Sequence, residues 1–264
     1  MTIGFIGLGN MAKAIIGGML KKKMVLPGDI VGSAKTQETM EACREEYGIR
    51  VLADNASVAA AADILFLAVK PVFFPEVIEE IKDAVKEDTV VISIAAGKTM
   101  EYIEGLFGKR IKLIRCMPNT PALVLSGCTA VVQGELVSDG EMENIKKLLS
   151  SFGTVSEVPE RMMDVVVGVS GSSPAYVFMF IEAMADEAVC AGMPRKQAYE
   201  MAAQSVLGSA KMVLETGMHP AELKDMVCSP GGTTIEAVKV LEEMGMRAAV
   251  MDAMEACIEK SKSL

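Results

Sequence analysis

Ile3-Gly4-Phe5-Ile6-Gly7-Leu8-Gly9-Asn10-Met11-Ala12 decides the fold of this chain. An apolar run leads into glycines spaced as G-x-G-x-x-A, and a helical pattern follows at once. That order predicts a strand, a tight turn and a helix, the opening unit of a dinucleotide-binding sheet. Gly7 makes the turn, Gly9 lets a pyrophosphate approach the backbone, and Ala12 lets the helix close on the strand. A bare G-x-G-x-x-A carries little weight. The strand before it and the helix after it give it meaning.

Working outward, apolar runs alternate with helical stretches, which argues for a largely parallel α/β sheet. Strands are expected at residues 2–6, 30–33, 64–69, 90–94, 111–116 and 129–132, with a weaker one at 50–52 and an edge strand at 154–158. Ser138-Asp139-Gly140-Glu141 is a capping box that starts a helix toward Ser151. After Pro159 the strand signals vanish, and Gly171, Gly192-Met193-Pro194, Gly217 and His219-Pro220 punctuate a run of helices. The expected fold is therefore a Rossmann-type dinucleotide-binding domain over residues 1–159 and an all-α domain over 160–264. Ala175-Tyr176-Val177-Phe178-Met179-Phe180-Ile181 is apolar all round. A helical domain of about a hundred residues cannot easily bury such a helix alone, so two chains are expected to interlock as a homodimer through this domain.

Composition narrows the function. The chain has 264 residues, with 26 Lys and Arg against 35 Asp and Glu, a net charge of −9. That disfavours a nucleic-acid partner and gives an anionic substrate no global attraction, so local dipoles must hold any anion. Although 51% of residues are apolar, no uninterrupted apolar run is long enough to span a bilayer, and no basic leader with a cleavage site is seen. A cytoplasmic protein without a membrane partner is expected. Cys43, Cys116, Cys128, Cys190, Cys228 and Cys257 show no C-x-x-C spacing, and His219 is the single histidine. Reduced thiols, mostly small core hydrophobes, and no metal are expected. Cys228 is the one whose alkylation should disturb function.

Ligands of such sheets bind at the carboxyl ends of the strands. Ala68-Val69-Lys70-Pro71 ends one strand with a lysine and a proline that blocks a helix. Ala95-Ala96-Gly97 leaves another end with almost no bulk, open to a flat nicotinamide ring. Asn119-Thr120-Pro121 makes a rigid turn expected to expose its amide and hydroxyl. After the second strand, Gly32-Ser33-Ala34-Lys35-Thr36 stands where an acid would hold a free ribose 2′-hydroxyl. Lys35 and the hydroxyls suit a 2′-phosphate better, which favours NADPH over NADH, with Glu38 near enough to keep NADH open.

Ser229-Pro230-Gly231-Gly232-Thr233-Thr234 then opens onto an amphipathic helix through Ile235, Val238 and Leu241. Free backbone amides and the positive end of the helix dipole suit a carboxylate, and two threonine hydroxyls sit beside it. His219, before Pro220, reads as a structural residue that precedes or caps a helix, and no nucleophile motif is present. Alcohol oxidation usually needs a positioned general base. Reduction of a protonated imine does not, so the sparse inventory favours a C=N substrate.

Gly7-Leu8-Gly9-Asn10-Met11-Ala12, Ala68-Val69-Lys70-Pro71, Met117-Pro118-Asn119-Thr120-Pro121, Ser170-Gly171-Ser172-Ser173-Pro174-Ala175-Tyr176 and Ser229-Pro230-Gly231-Gly232-Thr233-Thr234 together resemble pyrroline-5-carboxylate reductases in order and spacing. The resemblance covers essentially the whole chain. It implies NAD(P)H-dependent reduction of 1-pyrroline-5-carboxylate to L-proline, and intertwined dimers assembled into larger rings such as a decamer. Carried over by residue, it implies a carboxylate at Ser229, Gly232, Thr233 and Thr234, within the cradle that includes Gly231. The Thr234 hydroxyl would meet the ring nitrogen as the catalytic contact. Cofactor contacts would come from Gly7, Leu8, Gly9, Asn10, Met11, Ser33, Asn55, Ala68, Val69, Lys70, Pro71, Ala95, Ala96 and Gly97. Ser173 departs from the pattern, standing where the family usually has glycine.

Two other classes compete. A β-hydroxyacid dehydrogenase or ketimine reductase would share the N-terminal signals; the former takes a lysine from the helical domain, and Lys211 lies there without a carboxylate-binding motif around it. A nucleotide-sensing protein would keep the fold without turnover, but has no need of a second anion site.

Overall fold

Eight strands form one sheet in the order β3-β2-β1-β4-β5-β6-β7-β8 in this computed structural model, which describes residues 1–263. They are β1 (Ile3–Ile6), β2 (Ile30–Ser33), β3 (Arg50–Val51), β4 (Ile64–Leu67), β5 (Val90–Ser93), β6 (Leu113–Met117), β7 (Gly127–Gln133) and β8 (Gly153–Glu157). Neighbours pair in parallel except β6 with β7. All eight expected strands are present, the weak one and the edge strand among them. The first six take the doubly wound order whose reversal between β1 and β4 opens a ligand crevice.

Side-chain alternation along the strands explains the two-sided cover. Ile3 and Phe5 of β1 face one layer, where Phe5 stacks on Phe66 of β4 at 4.7 Å between ring centres. Ile6, Leu65 and Leu67 face the other. Helices α1 (Asn10–Lys21), α2 (Gln37–Tyr47) and α6 (Asp139–Leu149) cover the first face through Ile15, Ile16, Met19, Cys43, Ile145 and Leu149. Helices α3 (Asn55–Ala61), α4 (Phe74–Ile81) and α5 (Met100–Phe107) cover the second through Val58, Phe74, Ile78, Ile81 and Ile103. Each fully buried Phe, Ile or Leu contributes about 1.5–3 kcal/mol. Local signals set the helix starts. Thr36, Asp54, Thr99 and Ser138 each accept a hydrogen bond from an amide of the first turn, and the Ser138 amide donates to Glu141 Oε2 at 2.9 Å, completing the box.

The short α7 (Met163–Val166) leads through a wider turn, Val167–Gly171, into α8 (Ser173–Cys190). Then come α9 (Arg195–Thr216), α10 (Pro220–Val227), α11 (Thr233–Glu243) and α12 (Met246–Lys262). Two compact units result, one of residues 1–172 with 257–264 and one of residues 173–256. The division falls after residue 172 because Met163 and Val167 pack on Met117, Ala130 and Val132 of β6 and β7, which ties the first helical residues to the sheet. The end of α12 joins the same unit: Ser261 donates to Asp164 at 2.6 Å and the Cys257 thiol to the Ser172 hydroxyl at 3.2 Å.

Within the second unit, α8 hides only Ala185 fully. Phe178 is 62% and Met179 69% exposed in the single chain, so the apolar helix finds no sufficient cover in its own unit.

Candidate active site

A cleft of about 630 Å3 opens at the carboxyl ends of β1, β2 and β4. Gly7, Leu8, Gly9, Ser33, Lys35, Asn55, Val69 and Lys70 line it, so eight of the expected cofactor residues converge there. Gly7 holds φ at +93°, the left-handed region that favours glycine. Gly9 caps α1 without a side chain to satisfy the first amides, and a Cβ there would meet no protein atom within 4 Å. Asn10 and Met11 begin that helix, whose free amides and dipole face the cleft as a pyrophosphate requires. The residues present therefore fit a dinucleotide.

Polar groups at the β2 end form a chain. The buried Ser33 donates from its hydroxyl to Asn55 Oδ1 at 2.7 Å, and Asn55 Nδ2 donates to Glu80 Oε2 at 2.6 Å. Lys35 holds its ammonium 5.4 Å from the centre of the Phe73 ring, within cation–π reach. Asp54 is occupied as the α3 cap, and the Ser57 amide holds its carboxyl below the usual range. Glu80 is the residue that sequence reasoning missed. With Glu76, four residues earlier on α4, it faces the cleft while Phe74, Ile78 and Ile81 face the core. That spacing was the available signal.

The other strand ends lie on the same edge. Lys70 precedes the turn Pro71–Phe73 after Ala68 and Val69. Ala95, Ala96 and Gly97 follow β5, with Ala95 buried and Gly97 at φ +71°. Asn119 corrects an expectation. Its amide is buried, not exposed, because it donates to the Ser170 carbonyl at 3.0 Å and accepts from the Cys128 amide at 2.8 Å. It is a brace between two loops. Thr120 is exposed as expected.

In the helical unit, α10 ends at Val227 and the chain turns through Cys228 to Gly232 before α11 begins at Thr233. The Gly232 amide donates to the Ser229 carbonyl at 3.0 Å, and Gly231 sits at φ +69°. Gly232 caps α11 with no side-chain hydrogen bond, and a Cβ there would collide with the Ser229 hydroxyl. Thr233 and Thr234 occupy the first two helical positions, beside amides without a capping side chain. Ser229, Gly231, Gly232, Thr233 and Thr234 thus lie together in one turn at the start of α11, where the sequence places an anion cradle.

Other candidates fall away. His219 Nδ1 accepts from the Ala221 amide at 3.2 Å and caps α10. Lys211 is exposed and pairs with Glu215 at 3.5 Å. The six cysteines are free, but only Cys43 and Cys116 are buried, so the core role expected of most holds for those two. Burial in apolar surroundings pushes both thiols up. Among the described residues no group of three or more His, Cys, Asp or Glu is placed to hold a metal ion.

Comparison with known proteins bears on this arrangement. Residues 160–264 match the pyrroline-5-carboxylate reductase dimerisation family, and residues 2–97 match the NADP oxidoreductase coenzyme F420-dependent family. The pyrroline-5-carboxylate reductase of Escherichia coli strain K12 is 54% identical over 99% of this chain and 97% of its own. The chain belongs to the pyrroline-5-carboxylate reductase family. A solved pyrroline-5-carboxylate reductase from Coxiella burnetii, 35% identical, superimposes with a TM-score of 0.91 over 99% of this chain and 97% of its own. The Plasmodium falciparum enzyme, solved with NADP bound, is 30% identical with a TM-score of 0.90 over 100% of this chain and 97% of its own. The similarity to this family runs along the whole chain, from the dinucleotide-binding sheet into the helical segment.

Proposed function

We infer that this chain is an NAD(P)H-dependent oxidoreductase that reduces the C=N bond of 1-pyrroline-5-carboxylate to give L-proline, the last step of proline biosynthesis. Family membership across the whole chain carries the reading, and the intact cradle at the start of α11 supplies its chemistry. The bound nicotinamide cofactor supplies a hydride to the imine carbon. Gly7, Leu8, Gly9, Asn10 and Met11 hold its pyrophosphate. Ser33, Lys35 and Asn55 receive the adenosine ribose, where Lys35 suits the 2′-phosphate of NADPH. Ala68, Val69, Lys70, Pro71, Ala95, Ala96 and Gly97 flank the nicotinamide half.

Ser229, Gly231, Gly232 and Thr233 hold the substrate carboxylate on amides and hydroxyls that carry a positive dipole. The Thr234 hydroxyl takes the ring nitrogen. Hydride addition to the protonated imine cancels its charge and leaves a secondary amine, so no general base is required. Thr234 fixes the nitrogen and its proton while the charge disappears, so the imine carbon stays aligned with the hydride as the amine forms.

The apolar face of α8 is the seat of a second copy, giving a homodimer that assembles further toward a decamer. The stretch Glu160–Cys190 is long and apolar enough to cross a membrane by composition alone. Glu182, Asp186 and Glu187 within it fit a protein interface and a cytoplasmic enzyme better than a span.

The test follows oxidation of NADPH and of NADH with racemic pyrroline-5-carboxylate, alongside a cyclic imine lacking the carboxylate. Fast turnover with the carboxylate alone is expected. Equal turnover of both imines would remove the cradle from the mechanism, and none with either would overturn the reading.

A further inference from the structure

We infer that Glu80 sets the balance between the two nicotinamide cofactors, by fixing the direction in which the hydrogen bonds of Asn55 and Ser33 run. This rests on the dinucleotide reading of the cleft. A carboxylate only accepts hydrogen bonds, so Asn55 must turn its NH2 to Glu80, at 2.6 Å, and its carbonyl to Ser33. The Ser33 hydroxyl then uses its single proton on Asn55, at 2.7 Å, and its oxygen has only lone pairs left to offer.

A ribose 2′-hydroxyl can donate to that oxygen. A 2′-phosphate has no proton to donate, and it brings negative charge toward the Ser33 lone pairs and the Glu80 carboxylate. Lys35 works the other way, its ammonium held over Phe73 in the same cleft. Lys35 thus attracts the phosphate that distinguishes NADPH, while the hydrogen-bonded chain from Glu80 to Ser33 disfavours it. Glu80 acts through Asn55 and Ser33 and is a specificity-determining residue.

Glu80→Gln removes the charge and frees the direction. The new amide can donate to the Asn55 carbonyl, Asn55 can turn its NH2 to Ser33, and the Ser33 proton becomes available to a phosphate oxygen. Glu80 is exposed at the cleft, so the substitution spares the core.

Calorimetric titration of the full chain with adenosine 2′,5′-bisphosphate and with adenosine 5′-monophosphate reads this without turnover. Glu80→Gln is expected to tighten the bisphosphate about tenfold relative to the monophosphate, the scale of one hydrogen bond to a charged group. Ser33→Ala is expected to shift the ratio the same way by weakening the monophosphate. An unchanged ratio in Glu80→Gln, or selective loss of the bisphosphate in either variant, would overturn the inference. Binding of neither nucleotide to the unaltered chain would overturn the cofactor placement itself, and this inference with it.

Discussion

Gly7 stands so close to Ala68 that a Cβ on it would lie 2.7 Å from the Ala68 carbonyl oxygen. The turn after β1 and the end of β4 therefore admit glycine and nothing larger, and the positive φ of Gly7 adds to the constraint. Two residues later a Cβ on Gly9 meets no protein atom. Substitutions at these two glycines thus separate folding from binding. Gly7→Ala should lower stability by roughly 1–3 kcal/mol. Gly9→Ala should leave Tm within about 2 °C while raising the KM for NADPH by tenfold or so, because the methyl enters the pyrophosphate's space. Melting curves and cofactor titrations check both; an unaltered KM in Gly9→Ala would move the pyrophosphate elsewhere.

Thr234 sits at the second position of α11, where no side chain caps the helix. Thr234→Ala should therefore cost little stability and much catalysis. A fall in kcat/KM of about tenfold to a thousandfold matches the loss of one oriented hydrogen-bonding group. Thr234→Ser keeps the hydroxyl and should recover most of it. Steady-state kinetics of the pair decide, and unchanged rates in Thr234→Ala would take the hydroxyl out of the mechanism.

Arg115 on β6 is 3% exposed, and its guanidinium donates to Glu160 Oε1 at 3.1 Å. The same oxygen accepts from the Met100 amide at 2.7 Å, tying α5 to the start of the helical segment. Glu160→Ala strands a buried cation and should lower unfolding free energy by about 1–3 kcal/mol. Glu160→Gln keeps an acceptor and should lose less. Urea titration of both variants measures the difference, and equal stability would show that water replaces the carboxylate.

Local signals explain what was legible. The central strands β1, β4, β5 and β6 were readable because each is a short, mostly apolar and buried run, and the cap of α6 because a capping box spans four consecutive residues. The turn at Gly7 and the loop before α11 were readable for the same reason: each is set by adjacent residues of the chain. Glu80 was hidden because its partner Asn55 is 25 residues away, and only the packing of α3 beside α4 joins them. Asn119 misled in the opposite direction. Asn-Thr-Pro reads as an exposed turn, yet both ends of its amide are taken by Cys128 and by Ser170, 51 residues on. Most cysteines were expected in the core, yet Cys190 of the helical unit is exposed in the single chain and Cys128 and Cys257 are only half-buried.

Glu141 gives the fold an acid limb. Its carboxyl is pushed down from the ordinary 4.5 to about 2, first by the hydrogen bond from Lys112 and then by the Ser138 amide. A depressed folded pKa means the ionised form is favoured in the native state. The contribution is therefore full above pH 4.5 and lost as pH falls toward 2. Glu141→Gln should lower stability at neutral pH and flatten the decline over that window. Denaturant midpoints at pH 7, 4 and 2.5 test it: parallel curves for the two proteins would mean that other carboxylates carry the acid limb.

Phe178 and Met179 present apolar surface on α8 that the single chain leaves 62% and 69% exposed. Ile235 and Leu241 of α11 add more, at 37% and 44%. A soluble monomer rarely leaves so many large apolar side chains exposed on its helices, whereas a subunit interface covers them. Aspartates at 178 and 179 replace side chains that their own protomer does not bury, so each chain should fold as before. The pair would instead place two unpaired charges in the interface, which costs several kcal/mol once they are desolvated. Phe178→Asp with Met179→Asp should therefore halve the mass of the smallest species seen by light scattering at micromolar concentration. Helical circular dichroism should be retained. An undiminished mass would place the dimer contact on another face and leave the apolar stripe of α8 to a different partner.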